Sequence, residues 1–162
     1  MAEPRSVVNT SPIILLAAAD ALSLLPQVVG EILLPYAVVE EIVAGKILPP
    51  ALAGLRSSSW VHIEPSVPVP AEVAGWDLGL GETQVLALAI ARGGAQVVLD
   101  DLQARRCALS LGLPTVGTLG IILRAKRSRL IPAARPIVEK LVDCGIYLAH
   151  ELVEMALAEV GE

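Results

Sequence analysis

Short apolar runs rich in valine alternate along the chain with longer stretches whose apolar residues recur every three or four positions. That alternation predicts repeated β-α units around a parallel sheet rather than a helical bundle. The runs Ser6–Asn9, Glu31–Leu34, Ala95–Leu99 and Pro114–Val116 are short and continuous, which is how strands buried on both faces read. Ser11-Pro12 predicts a helix start, with serine as the cap and proline at the first helical position, and the helix should run to about Leu25. Further helices are expected from Pro35 to near Gly45, Pro49 to Leu55, Gly81 to Arg92, Leu102 to Leu111, Gly117-Thr118 onward, Pro132 to Cys144 and Ala149 to Val160. Arg56 to Gly75, rich in Ser, Pro and Gly, reads as the longest irregular stretch.

Length then bounds this picture: 162 residues suffice for one domain with a proper core, so residues 1–162 are expected to form a single α/β domain. The apolar fraction of 54% and a mean hydropathy of +0.67 require that a membrane reading be tested. It fails on continuity, because Asp20, Pro26 and Glu31 interrupt the most apolar segment, Ile13 to Leu34. A soluble, cytoplasmic protein without membrane contact is expected. Cys107 and Cys144 lack any ligand-like spacing and read as reduced thiols.

Charge adds a second contrast. The net charge of −5 argues against a general nucleic-acid binder. Yet Leu102 to Val138 holds seven cations (Arg105, Arg106, Arg124, Lys126, Arg127, Arg129 and Arg135) and no acid, which leaves −12 on the remainder. A basic surface beside an acidic site is the reading this suggests.

The acids stand at informative places. Asp100 and Asp101 follow the Ala95–Leu99 run, at the carboxyl edge where open α/β sheets bind ligands, and Asn9 closes the first strand in the same manner. Asp101 has a structural role available as cap of the next helix, and Thr118 has the same choice between capping and site contact. Glu82 shares a helical face with Val85, Leu86 and Ala89, an expensive place for an acid without a partner. Glu40 and Glu41 flank the stripe Val38, Val39 and Ile42 equally, so periodicity does not choose between them. Several carboxylates meeting at one edge call for a hard divalent cation with oxygen ligands, Mg²⁺ or Mn²⁺. Zinc is disfavoured, since His62 and His150 are isolated. Such a cluster suits phosphodiester hydrolysis, and no serine or cysteine nucleophile with a nearby base is readable.

Asn9-Thr10-Ser11-Pro12, Val38-Val39-Glu40-Glu41-Ile42, Leu80-Gly81-Glu82-Thr83 and Leu99-Asp100-Asp101 with Ala104-Arg105-Arg106 together resemble the PIN-domain superfamily of metal-dependent ribonucleases, which includes VapC-type toxins. The closest likeness is to a poorly characterised PIN-like branch with counterparts of Gly112-Leu113-Pro114 and Gly117-Thr118-Leu119-Gly120. The resemblance implies a Rossmann-like three-layer α/β/α sandwich with a central parallel sheet, and a homodimer. It places Asn9, Glu41, Glu82, Asp100 and Asp101 at the catalytic, metal-holding positions, and so selects Glu41 over Glu40. Thr10 and Ser11 should hold the first loop. The implied activity is Mg²⁺- or Mn²⁺-dependent cleavage of RNA, with an antitoxin protein as partner of a toxin–antitoxin pair.

Two departures shape the expectation. Asn9 stands where the family's first acid would be; its amide oxygen can still ligate a hard cation, but the site loses one negative charge and metal affinity should fall. The alternative is therefore a catalytically weak or silent PIN fold that binds RNA or protein. With only Tyr36, Trp60, Trp76 and Tyr147 as aromatics, the main source of affinity for single-stranded RNA should be phosphate contacts from Arg105, Arg106, Arg124, Lys126 and Arg127. A phosphoacceptor receiver domain is discounted, because its acidic pair should close the first strand, and a dinucleotide site fails for want of G-x-G-x-x-G. Leu148, Leu152, Met155 and Ala156 share one face of the final helix, for which core packing is the default reading.

Overall fold

In the computed structural model, which describes residues 5–45 and 50–162, five parallel strands form one sheet. They are β1 (Arg5–Val8), β2 (Glu31–Pro35), β3 (Val61–Glu64), β4 (Gln96–Val98) and β5 (Thr115–Val116), in the spatial order β3-β2-β1-β4-β5. Register pairs Val7 with Leu33 on one side and with Val97 on the other, so the valine-rich runs lie at the centre of the sheet. Both faces must then be covered, and helices do so in a three-layer α/β/α arrangement.

The helices are α1 (Thr10–Ala18), α2 (Leu24–Val29), α3 (Tyr36–Ala44), α4 (Ala71–Ala74), α5 (Leu80–Ala91), α6 (Leu102–Ser110), α7 (Thr118–Arg127), α8 (Arg135–Asp143) and α9 (His150–Ala158). Helix α5 packs against β1, β2 and β4, and its residues Val85 to Ala89 are almost wholly buried. Helix α2 packs on α7, and α8 on α1 and α7. No helix among the described residues is long and apolar enough to cross a membrane.

Five expectations need correction. The helix after β1 stops at Ala18, not Leu25, because Asp20 takes a left-handed conformation (φ 61°) and the chain re-forms as α2. Pro26 is tolerated there because it occupies the first turn of α2. The cap position of α1 belongs to Asn9, not Ser11. In the stretch 56–75, read as irregular, β3 forms an edge strand paired with β2 from Ile32–Val61 to Pro35–Glu64. Of the element expected from Pro49 to Leu55, Pro49 lies outside the described residues, and the rest holds short 3-10 turns at Pro50–Leu52 and Leu55–Ser57. At the last helix, Leu152 and Met155 are exposed, and Ala156 and Leu157 make the core contact instead.

One buried amide ties the irregular segment after β3 to the core. Gln84 Nε2 donates to the Val67 carbonyl and Gln84 Oε1 accepts from the Val67 N–H, each at 3.0 Å. The side chain thus mimics a strand partner, satisfying both backbone groups of a residue that no ladder reaches.

Candidate functional site

The strand order reverses direction between β1 and β4, and at such a switch point the loops leaving adjacent strands part and open a crevice at their carboxyl ends. Asn9 leaves β1 there, its N–H donating to the Val98 carbonyl at 3.1 Å, and Asp100 and Asp101 leave β4 beside it. The first turns of α5 and α7 border the same crevice. A cavity of about 670 Å³ results, with Ser11, Glu82, Asp100, Asp101, Arg105 and Thr118 among its lining residues.

Asn9 is buried, and its position before α1 is one where an asparagine ordinarily accepts from the helix's free N–H groups. It does not. Its Nδ2 donates instead to Glu82 Oε1 at 3.3 Å, which fixes the amide orientation because a carboxylate accepts only. Asn9 Oδ1 is left buried without a hydrogen-bond partner. An orphaned acceptor of this kind is uncommon and costs roughly 1–3 kcal/mol.

Asp100 is held by two donors of α7: the Thr118 N–H reaches Oδ1 at 2.7 Å and the Thr118 hydroxyl reaches Oδ2 at 2.6 Å. Its charge therefore sits at a helix N-terminus, where the dipole favours an anion. Thr118, fully buried, takes only one of its two alternatives: Gly117 occupies the cap position of α7 and the Thr118 hydroxyl binds the site aspartate. Asp101 Oδ2 caps α6 by accepting from the Ala104 N–H at 2.8 Å, as its position predicts. Glu41 rather than Glu40 turns toward the site loops, accepting from Thr10 Oγ1 at 2.6 Å and from the Gly81 N–H at 3.0 Å.

Missing side chains make this possible. A Cβ on Gly81 would stand 2.6 Å from Glu41 Oε1, one on Gly79 would stand 2.7 Å from Glu82 Oε2, and one on Gly117 would stand 2.9 Å from Arg105 Nη1 and 3.1 Å from Asp100 Oδ1. None of the three has a left-handed φ, so space and not backbone freedom is what glycine supplies here.

The five expected residues thus gather at one sheet edge but do not form a ready cage. Glu82, Asp100 and Asp101 share the cavity, whereas Glu41 and Asn9 do not line it. Among the described residues, no three acidic, histidine or cysteine side chains converge closely enough to hold an ion by themselves. The donors at the edge are nevertheless all oxygen, with one neutral acceptor idle, and that chemistry fits a hard divalent cation. Burial pushes the Cys107 thiol up and keeps it protonated, so it offers no nucleophile.

The cations are placed less compactly than their sequence run implies. Arg105 lines the cavity and has no ion pair among the described residues. Lys126 and Arg127 stand at the far end of α7, about 12 Å along its axis from Thr118. There Lys126 donates to the Pro132 carbonyl and faces Glu162 at 3.9 Å, while Arg127 pairs with Glu159 at 2.9 Å.

Comparison with known proteins agrees with this frame. No curated protein matches the chain. A PilT N-terminus domain protein, SSO1118, from the hyperthermophilic archaeon Sulfolobus solfataricus P2 shares its fold, with a TM-score of 0.52 over 90% of this chain and 98% of that one, at 13% identity. A family model described as a PIN domain (DUF3368) matches residues 5–162. PIN domains are generally nucleases and typically use divalent metal ions. Since that model spans nearly the whole chain, the chain belongs to the PIN-domain family.

Proposed function

We propose that the protein is a divalent-metal-dependent endoribonuclease acting at the crevice between β1 and β4. The observation that carries this reading is the idle, buried Oδ1 of Asn9 beside the carboxylate of Glu82. A fold does not leave such an acceptor unpaired without cost, and an oxygen-seeking cation is the partner that this surrounding of acids would attract. Asn9 Oδ1, Glu82, Asp100 and the uncapped oxygen of Asp101 would hold Mg²⁺ or Mn²⁺. When bound, such an ion supplies Lewis acidity toward a phosphodiester.

The remaining residues have separate tasks. Arg105, unpaired on the cavity wall, binds the non-bridging oxygens of the phosphate. Thr118 aims Asp100 through two donated hydrogen bonds. Asp101 is exposed at the rim, with Oδ2 committed to the α6 cap and Oδ1 left for the ion. Glu41 is a positioning residue, joining Thr10 at the start of α1 to Gly81 at the start of α5.

The test is cleavage of single-stranded RNA with Mn²⁺ or Mg²⁺, together with the shift in Tm that Mn²⁺ alone produces. Cleavage should vanish in EDTA and in Glu82→Gln; cleavage that persists in both sinks the proposal. A second reading, a silent RNA-binding module, draws on the neutral Asn9 and the absence of a three-acid cage among the described residues. Asn9→Asp separates them, since gained activity and a larger Mn²⁺ shift mark a weakened enzyme, and an unchanged, inactive protein marks the binder.

A further inference from the structure

The cavity that the acids line also has an apolar part to its lining: Ile146, Tyr147, Leu148 and Leu152, from the turn between α8 and α9 and the start of α9. Tyr147 is 94% exposed, the most of any large apolar residue described. A single exposed ring is unremarkable by itself. Its place is not, because this chain has few aromatics and sets this one over the cavity that holds Glu82, Asp100 and Arg105.

The turn that carries it is anchored. Gly145 ends α8 in a left-handed conformation (φ 94°), the Ile146 N–H donates to the Leu141 carbonyl at 3.3 Å, and Ile146 packs against the core. Tyr147 therefore projects from a fixed base, and its ring contributes little to folding. A cavity lined by a cation, by acids and by an exposed ring offers partners for both parts of a nucleotide, phosphate and flat base. Its volume is also in the usual range for a ligand of that size.

We propose that Tyr147 is a specificity-determining residue that stacks on the base adjoining the scissile phosphate of single-stranded RNA, with preference for a purine. The inference rests on the nuclease reading. Phosphate contacts still supply most of the affinity; the ring supplies selectivity, because a larger base offers a larger stacking face.

The experiment compares wild type, Tyr147→Ala and Tyr147→Phe on short RNAs carrying a purine, a pyrimidine or an abasic site next to the cleaved bond. Tyr147→Ala should lower kcat/KM on the purine substrate by roughly tenfold or more, the size of one lost stack, and should remove the purine preference. On the abasic substrate it should change nothing, and Tyr147→Phe should behave as wild type. An equal loss on the abasic substrate, or a phenylalanine variant as poor as alanine, overturns the proposal.

A parallel binding titration in EDTA keeps the two readings distinguishable. An RNA carrying 2-aminopurine should be quenched by wild type and by Tyr147→Phe but not by Tyr147→Ala. If no RNA is cleaved and this pattern is seen, stacking stands while the nuclease reading falls. If RNA is cleaved and the base is not quenched, stacking falls alone.

Discussion

The carboxylates at the sheet edge and those around α8 and α9 are treated in opposite ways. Around α8, Arg135 forks onto Glu154 through two hydrogen bonds of 2.9 and 3.2 Å, Arg127 takes Glu159, and Glu162 receives the Ala134 and Arg135 N–H groups and faces Lys126. At the sheet edge Glu41, Glu82, Asp100 and Asp101 are held by an amide, by hydroxyls and by backbone N–H groups, and among the described residues no ion pair involves them or Arg105. In the first region charge is neutralised to fix helices. In the second it is oriented and left uncompensated, as the proposed site for a cation and a phosphate requires.

The largest break in this contrast should come from Asp100→Asn. The amide keeps an acceptor for the Thr118 N–H, so Tm should fall only modestly, while metal-dependent cleavage drops by about 10²-fold or more and the Mn²⁺ shift in Tm shrinks. A folded variant with full cleavage would remove Asp100 from the site. Next in size, Gly81→Ala must displace the Glu41 carboxylate, whose end is free to move. Cleavage should fall about tenfold with stability changed by less than about 1 kcal/mol, since alanine suits the helix better than glycine. Equal losses of activity and stability would show that Glu41 is structural.

The ion-paired region supplies the smaller effects. Arg135→Gln should lower Tm slightly and leave the Mn²⁺ response intact, because it touches only Glu154 and Glu162. A lost metal response would mean that the two regions are coupled. Acid should act on the same place: the hydrogen bond from Arg135 holds the Glu154 carboxyl below its usual range, and the Ala134 N–H does the same for Glu162. Groups depressed on folding contribute their stability above the unfolded carboxylate pKa and lose it as pH falls through the folded one. Protection of α8 amides, taken relative to the intrinsic exchange rate at each pH, should therefore fall below about pH 4, and less so relative to neutral pH in Arg135→Gln. A protection profile flat through the acid range would contradict the assignment.

Much of this architecture was legible from residue order, and the failures have physical causes. Central strands announce themselves because burial on both faces leaves continuous apolar runs, as at Ala95–Leu99. Strand β3 hides because an edge strand is wetted: His62 and Ile63 are partly or well exposed, so no such run appears. The break after Ala18 depends on one backbone conformation at Asp20, which the apolar pattern does not encode. Asp100 and Asn9 could be placed because strand ends define the sheet edge. The separation of Glu41 from Glu40 needed the resemblance, since a helical wheel gives both the same angle to the stripe. The cluster Arg124, Lys126 and Arg127 misled because spacing tells that cations share a helix but not which end of it meets the site. Nothing local signals that Gln84, in an otherwise apolar helix, clamps Val67 from seventeen positions away.

Three positions where the chain carries only hydrogen have a practical corollary for mutational screening. Libraries filtered for well-folded protein and then for loss of chemistry should be enriched in replacements at Gly79, Gly81 and Gly117. The harm there is done by an added methyl group rather than by a removed functional one.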